Sequence, residues 1–175
     1  MNLTVVIPTT GRESLERAYA SADACADQVI VVADNTPDTP ADLHVNYGCP
    51  GLVRNAAIPY VTGDWVGFLD DDDILVPDVY RPVTEALSAD FDVVVHTMND
   101  PQLGLIPRPG LVLFHGNVGI SFAMRTALWT QHPFLPGPPR SINEDYGLVR
   151  LMQDQERRVA VSQAVAYIVR PEEAR

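Results

Sequence analysis

The chain has 175 residues and a formal net charge of −11, and all 12 of its basic residues are arginine. A chain of this length predicts a single domain with one core over residues 1–175. The absence of lysine excludes the phosphate-binding loop that ends in Gly-Lys-Ser/Thr, the kinase lysine and Schiff-base chemistry. The acidic charge disfavours a nucleic-acid partner, because the two would repel each other.

The sequence predicts a cytoplasmic protein without a membrane span. Its best uncharged run, Pro109–Met124, contains Pro, Gly, His and Asn and is a poor candidate for crossing a bilayer. The first residues enter a strand pattern directly, without the basic start and apolar stretch of a signal peptide. Two cysteines, Cys25 and Cys49, are too few for a disulfide framework or a metal cluster, so we expect reduced thiols.

The first half of the chain alternates between strand and helix patterns. Four short apolar, β-branched runs predict buried strands. They are Leu3–Ile7, Val29–Val32, Trp65–Leu69 and Phe91–His96. Helices are predicted after Gly11, from Gly51 to a break at Pro59, and from about Asp78. This alternation predicts an α/β protein with a mainly parallel central sheet and helices on both faces.

The second half is less regular. Residues 99–119 carry Pro or Gly every few positions, and Leu111–Phe114 is a candidate strand or hairpin arm within them. Residues 132–141 are rich in proline and predict a loop. A helix is predicted over Asn143–Gln155 and a last strand over Val165–Val169. The composition shows no linker that would separate a second domain.

Four consecutive acids, Asp70–Asp73, form an acidic segment directly after the third predicted strand. Ligands of open α/β sheets bind beyond the carboxyl ends of the strands, where this segment and Asp34 both fall. Four adjacent carboxylates repel one another, so they either spread into water or gather around a cation. Their hard oxygens favour Mg²⁺, Mn²⁺ or Ca²⁺. The alternative is a solvated acidic turn at the start of the next helix.

The acidic segment also fits a phosphatase loop of the haloacid dehalogenase type. In that interpretation Asp70 is the nucleophile and Asp72 the general acid. The family normally places this loop after its first strand and uses a later basic residue, often lysine, to hold the phosphate. Both features argue against this alternative, because the segment follows the third strand and lysine is absent.

Taken in chain order, the motifs resemble those of family 2 glycosyltransferases. The matching segments are Val5–Arg12, Val31–Thr36, Gly51–Ala56, Gly63–Asp73 and Asn143–Asp145. The resemblance implies a GT-A fold, a Rossmann-like sandwich with a mainly parallel sheet. It implies that residues 1–98 bind the nucleotide sugar, and that residues 99–175 supply the acceptor part and the catalytic base.

The resemblance also implies the reaction. A sugar would pass from a nucleoside-diphosphate sugar, by default a UDP-sugar, to an acceptor hydroxyl with inversion and with help from Mn²⁺ or Mg²⁺. Asp72 and Asp70 would hold the metal, Asp72 more directly, and Asp145 with Glu144 would form the catalytic pair. The donor nucleotide would contact Pro8, Thr9, Thr10, Arg12, Asp34, Asn35, Arg54 and Asp71.

Four positions qualify the resemblance. Ala33 stands where the family often has an aspartate, and Pro59 interrupts a helix that usually continues. Arg170 falls where many members have a metal-ligating histidine. Either the metal then rests on Asp72, the diphosphate and water, or Arg170 itself neutralises phosphate. Glu144 also has the spacing of a capping box with Ser141, which would make it a helix cap.

Two other functions stay open at this stage. One is a catalytically inactive module that keeps the nucleotide or metal site, and the other is a nucleotidyltransferase. The nucleotidyltransferase is disfavoured because Thr10-Gly11-Arg12 is a poor version of a basic glycine-rich loop. The short stretch between the fourth predicted strand and Asn143 predicts an open acceptor side, suited to a small molecule or an exposed side chain.

Overall fold

The computed structural model of the protein describes residues 1–110, 112–137 and 145–171. The strands are β1 (Leu3–Thr9), β2 (Gln28–Asp34), β3 (Leu43–Val45), β4 (Trp65–Phe68), β5 (Ile74–Leu75), β6 (Val93–Asp100), β7 (Gly104–Ile106), β8 (Phe122–Arg125) and β9 (Val159–Ile168). The helices are α1 (Leu15–Asp23), α2 (Pro50–Asn55), α3 (Pro77–Ser88), α4 (Thr126–Gln131) and α5 (Asp145–Asp154), with a short 3₁₀ helix at Ile58–Tyr60.

The strands form one mixed sheet in the order β3-β2-β1-β4-β8-β6-β9-β5, with β7 paired to β6. β1 lies parallel between β2 and β4, β2 is parallel to β3, and β6 is parallel to β9. β8 is antiparallel to both of its neighbours, β4 and β6. Because β4 and β6 are both antiparallel to β8, β6 and β9 run in the same direction as β1 to β4. The prediction of a mainly parallel sheet is confirmed.

Helices cover both faces of the sheet, as the strand–helix alternation predicts. Successive residues of a strand point to opposite faces. A side chain at Gly67 of β4 would collide with the Tyr80 hydroxyl of α3, so α3 covers that face. The ring of the next residue, Phe68, meets Trp129 of α4 and Phe134 edge-on at 5.2 and 5.0 Å between centroids. These aromatic contacts build the core on the opposite face.

The central strands are buried along most of their length. In β1 the residues Leu3, Val5, Val6 and Ile7 have no exposed surface, which is the pattern of a strand covered on both faces. α1 packs on β1 and β2 through its buried Ala18 and Ala22. This rigid centre carries the carboxyl ends of β1, β2 and β4 to one edge of the sheet.

Several elements differ from the sequence predictions. β3, β5, β7, β8 and α4 are absent from the predictions, because runs of two to six residues carry too little periodicity to be recognised. The last strand begins at Val159 rather than Val165. The strand expected at Leu111–Phe114 is wrong for residues 112–114, which have no regular structure, while Leu111 lies outside the described residues. α2 ends at Asn55, four residues before the expected break at Pro59, which lies in the 3₁₀ helix Ile58–Tyr60.

The sheet joins both halves of the chain. β8 and β9 from the second half pair with β4 and β6 from the first half. Within the described residues, none of the helices has the length and apolar character needed to cross a bilayer. Cys25 and Cys49 are both free thiols.

Candidate active site

The candidate site lies where β1, β2 and β4 end, at the carboxyl edge of the sheet. β1 ends at Thr9 and β2 at Asp34, and the acidic segment begins two residues after β4. Leu69, between β4 and the segment, donates its N–H to the carbonyl of Val6 and so continues the pairing with β1. The parallel strand order therefore brings the three predicted motifs to one place.

The acidic segment is a tight turn that groups three of its four carboxylates. The Asp73 N–H donates to the Asp70 carbonyl at 3.1 Å. Oxygen atoms of Asp70, Asp72 and Asp73 all lie within 4.8 Å of one another. The predicted pair Asp70 and Asp72 is thus brought together, and the structure adds Asp73. These three carboxylates can offer hard oxygen ligands to a divalent cation.

Asp71 points away from this group and links the acidic segment to β1. Its carboxylate accepts from the Thr9 hydroxyl at 2.6 Å and from the Thr10 N–H at 3.2 Å. Thr9 Oγ1 in turn accepts from the N–H of Gly11, whose φ of +82° suits glycine. The predicted donor residues Thr9, Thr10 and Asp71 therefore form one hydrogen-bonded unit, directly beside Pro8 at the end of β1.

Arginines surround the acidic segment. Arg12 Nη1 lies 2.5 Å from Asp72 and 3.1 Å from Asp71, and Arg170 Nε lies 3.6 Å from Asp72. Arg54 Nη2 lies 2.5 Å from Asp70. Arg12 is half exposed, whereas Arg54 is only 2% exposed. The charge of the segment is therefore offset by one buried cation and by two cations nearer the surface.

Burial raises the pKa of two of these acids. Burial raises the pKa of Asp72 above its ordinary value, and Arg12 opposes the effect. Burial, together with the charge of Asp70, raises the pKa of Asp73 to about 7. A carboxyl with a pKa of about 7 is partly protonated near neutral pH. Protonation of Asp73 lowers the repulsion among the carboxylates of the acidic segment.

Two residues outside the predicted site, Tyr167 and Arg17, form hydrogen bonds with the acidic segment. The hydroxyl of Tyr167, in β9, contacts both Asp70 and Asp73. Arg17, in α1, donates from Nη2 to the Asp72 carbonyl at 3.3 Å. Sequence reasoning missed Asp73 as part of the group, although it lies in the acidic run. A polar hydroxyl within the apolar run of the last strand was the signal for Tyr167.

Asp34 closes the loop that follows β3. Its carboxylate accepts from the backbone N–H of Tyr47 at 2.7 Å and from that of Gly48 at 2.9 Å. The next residue, Asn35, has a φ of +58° and donates its N–H to Val45. Asp34 and Asn35 thus lie at the predicted edge, and Asp34 shapes the loop there with both oxygens. Oδ1 also accepts from the Asn35 side-chain amide at 3.5 Å, whereas Oδ2 has one described donor, the Gly48 N–H, and can accept a second hydrogen bond.

Arg54 and its neighbour Asn55 connect the donor side to the second half of the chain. The Arg54 guanidinium stacks over the Phe134 ring at 5.5 Å from its centroid. Asn55 exchanges hydrogen bonds with the Phe134 backbone at 2.8 and 3.1 Å, and its Oδ1 accepts from Trp129 Nε1 at 3.3 Å. The buried Arg54 is therefore held on both sides, by Asp70 and by Phe134.

Asp145 is the first residue of α5, where the helix dipole favours a negative charge. α5 runs into β9 and packs on it through the buried Leu148 and Met152. The other half of the predicted catalytic pair, Glu144, lies outside the described residues.

A cleft of about 790 Å³ lies beside the site, between α1 and the loop 38–42. Arg12 forms its boundary with the site, and Leu15, Tyr19 and Val31 are among its lining residues. The acidic segment does not line this cleft. Of the candidate site, Arg12 lines this cleft, whereas the carboxylates of Asp70–Asp73 lie outside it.

Comparison with solved structures identifies the fold as GT-A. Residues 1–349 of TarS from S. aureus match with a TM-score of 0.68 and 19% identity, over 99% of this chain and 62% of that chain. The same protein in complex with UDP-GlcNAc matches with a TM-score of 0.69 and 19% identity, over 97% and 58%. Glucosyl-3-phosphoglycerate synthase from Mycobacterium tuberculosis, in complex with Mn²⁺, UDP and phosphoglyceric acid, matches with 0.65 and 18%, over 91% and 67%.

These solved structures define the fold of the chain as GT-A. The sequence model of glycosyl transferase family 2 matches residues 4–146, and the chain belongs to this family. The resemblance read from the motifs is thus confirmed. The chain spans about six tenths of the length of TarS 1–349. No curated protein sequence matches it.

Proposed function

We propose that the protein transfers a sugar from a nucleoside-diphosphate sugar, by default a UDP-sugar, to an acceptor hydroxyl with inversion. The observation that carries this proposal is the grouping of Asp70, Asp72 and Asp73 at the carboxyl edge of β1, β2 and β4. Membership of glycosyl transferase family 2 supports it. The complexes of the similar structures with UDP-GlcNAc and with Mn²⁺ and UDP support the donor class.

The donor set of the acidic segment fits a divalent cation, Mn²⁺ or Mg²⁺. Three carboxylates with oxygens within 4.8 Å of one another match the hard oxygen ligands that these ions take. Asp72 and Asp70 would hold the ion, with Asp73 beside them. When bound, such an ion offsets the negative charge that develops on a leaving diphosphate.

Two of the arginines would bind the phosphates of the donor, and the third would stay paired with the acidic segment. Arg12 is half exposed and can leave Asp72 to bind phosphate oxygens, which its planar guanidinium suits. Arg170, nearer the end of β9, is placed to add a second phosphate contact. The buried Arg54 stays on Asp70 and fixes the orientation of that carboxylate. Donor binding would therefore exchange arginine–carboxylate pairs for arginine–phosphate pairs.

The nucleoside would lie along the ends of β1 and β2. Pro8, Thr9 and Thr10 would form its floor through the hydrogen-bonded unit with Asp71. Asp34 would accept from the base through Oδ2, which has a single described donor, and Asn35 would lie beside it. Uracil is the default base because of the resemblance to family 2 glycosyltransferases, and its ring N–H can donate to the Asp34 carboxylate.

Asp145 would act as the base that removes the proton of the acceptor hydroxyl, with Glu144 next to it. A weakly acidic hydroxyl needs this help as it attacks the anomeric carbon. Inversion requires the attacking oxygen to approach from the side opposite the leaving diphosphate. Asp145, at the start of α5, would then have to face the side of the sugar opposite the acidic segment. The acceptor would be a small molecule or an exposed side chain.

Release of UDP from UDP-glucose and UDP-GlcNAc tests this proposal. With Mn²⁺ present, we expect the wild-type protein to release UDP from at least one of them, and faster when a matching acceptor is added. Asp72→Asn should lose this activity. Asp154→Asn, the same change in an exposed ion pair with Arg150, should keep it. Nucleoside triphosphate consumption with pyrophosphate release would instead support a nucleotidyltransferase, and nucleotide binding without turnover would support an inactive module.

A further inference from the structure

The hydroxyl of Tyr167 touches both ends of the acidic segment. It accepts a hydrogen bond from the Asp70 N–H at 3.1 Å and donates one to Asp73 Oδ2 at 2.8 Å. Tyr167 has no exposed surface, and it is the second-last residue of β9. A single buried oxygen thus bridges the first and the last residue of the segment.

The backbone after β9 closes the same arrangement. The Arg170 N–H donates to Asp73 Oδ1 at 2.9 Å, from a residue with a φ of +38°. β5, which follows the acidic segment at once, pairs with β9 at Ile74–Ile168 and Leu75–Tyr167. Both oxygens of Asp73 are therefore engaged by residues of one short stretch at the end of β9.

These contacts decide the shape of the acidic segment. Carboxylates as close as those of Asp70, Asp72 and Asp73 repel one another. The segment would spread into water if nothing opposed this repulsion. The Tyr167 hydroxyl holds the Asp70 backbone and the Asp73 carboxylate in place, with Asp72 between them. Asp72 itself makes no contact with Tyr167 among the described hydrogen bonds, so the effect on it is indirect.

We propose that Tyr167 is a positioning residue that shapes the acidic segment for a divalent cation, an inference that rests on the proposed function. Groups that hold the ligands of a metal, without touching the metal, commonly change its affinity 10–100-fold when they are removed. Tyr167 belongs to the second half of the chain and the acidic segment to the first. The end of β9 therefore sets the metal affinity of the donor side.

The test compares two Tyr→Phe variants. Tyr167→Phe removes the bridging hydroxyl, and Tyr80→Phe removes the hydroxyl of another fully buried tyrosine, which lies 3.4 Å from the Phe122 carbonyl. Mn²⁺ is titrated into each protein in the presence of UDP, and the melting temperature is measured without metal. We expect the Kd for Mn²⁺ to rise about 10–100-fold in Tyr167→Phe and to stay within about twofold of wild type in Tyr80→Phe.

Three results would overturn the inference. An unchanged Kd for Mn²⁺ in Tyr167→Phe, with only a lower melting temperature, would leave Tyr167 a purely structural role. A wild-type protein that binds UDP but does not bind Mn²⁺ would overturn the inference and leave the proposed nucleotide site intact. A wild-type protein that binds neither UDP nor Mn²⁺ would overturn the proposed function as well.

A measurement on the unaltered chain makes the test independent of how the variant folds. Hydrogen exchange of the metal-free wild type should show a protected amide at Asp70, because its acceptor is the buried phenol oxygen. Exchange at Asp70 as fast as at an exposed loop amide would show that the bridge does not form, and would contradict the proposal.

Discussion

The guanidinium of Arg54 lies 2.5 Å from the Asp70 carboxylate and is 2% exposed, while Asp70 is 39% exposed. An arginine buried to this degree requires a partner, because the desolvation of its charge is costly. Asp70 is thus tied to the core on one side and reaches the solvent edge on the other. This pair fixes where the acidic segment begins.

The Arg54–Asp70 pair should stabilise the fold as well as the site. We expect Arg54→Met to lower the free energy of unfolding by about 2 kcal/mol, below the 3–5 kcal/mol typical of fully buried pairs, because water screens Asp70. Arg54→Lys should lose less, since it keeps the charge but not the planar stacking on Phe134. Urea unfolding measures both, and a methionine variant as stable as wild type would contradict this role.

Arg12 should affect the metal and the nucleotide in opposite directions. Arg12→Ala removes the cation that lies 2.5 Å from Asp72, so we expect Mn²⁺ alone to bind more tightly. The same variant loses a phosphate contact, so UDP with Mn²⁺ should bind about 10-fold more weakly. Calorimetric titration measures both affinities, and Arg150→Ala, in an exposed pair, serves as the control. Weaker binding of Mn²⁺ alone would show that Arg12 does not compete for Asp72.

His96 should make the protein sensitive to acid. It lies buried in β6, its Nε2 is 2.9 Å from the Thr84 hydroxyl, and its Nδ1 has no partner in the part of the chain that the structure describes. Thr84 donates its own proton to the Tyr80 carbonyl, so Nε2 is the donor to Thr84 and the ring is neutral. Burial lowers the pKa of His96 to about 3.

The sign of the pH effect follows from this depressed pKa. Between pH 6.5 and about pH 3, His96 is protonated in the unfolded chain and neutral in the folded protein. The contribution of His96 to the free energy of unfolding is therefore complete above pH 6.5 and decreases as the pH falls below it. At pH 5 the loss should be about 2 kcal/mol. His96→Gln, which keeps a donor for Thr84, should remove this part of the pH dependence, and His44→Gln at an exposed position should not. An equal loss of unfolding free energy between pH 7.5 and pH 5 in wild type and in His96→Gln would contradict the prediction.

Asp145 should affect turnover and not donor binding. We expect Asp145→Asn to lower kcat by about 10²–10⁴-fold, the usual contribution of a general base, while UDP binding with Mn²⁺ is unchanged. Glu144→Gln should have a smaller effect if Glu144 caps the helix. Asp154→Asn, at the other end of α5, is the control. A variant Asp145→Asn that keeps its kcat would move the base to another residue.

The parts of the site that the sequence predicts are those carried by consecutive residues. Asp70–Asp73 follow a buried strand directly, so their place at the edge of a parallel sheet depends only on recognising β4. The fold class was predictable for the same reason, because the first strands alternate with helices. What the sequence does not show is which distant residue meets these acids. Tyr167 lies 94 residues from Asp73, and only the pairing of β5 with β9 brings them together.

The second half of the sheet was less predictable. β8 is four residues long and lies antiparallel between β4 and β6, although the alternating pattern of the first half predicts a parallel neighbour. A run as short as Phe122–Arg125 has no periodicity of its own, and its position is decided by the core that forms around Phe122 and Phe68. The buried environment of Arg54 depends in the same way on Phe134, which is distant in the sequence.

The acidic segment should bind a nucleoside diphosphate through a divalent cation. Thermal unfolding with UDP, GDP, dTDP and CDP, each with and without Mn²⁺, tests this binding. A ligand at 100 times its Kd adds about 2.7 kcal/mol of stability, which is visible as a rise in Tm. We expect UDP to raise the Tm with Mn²⁺, the rise to disappear on chelation and in Asp72→Asn, and to remain in Asp154→Asn. No rise with any diphosphate, or an equal rise in Asp72→Asn, would contradict the account.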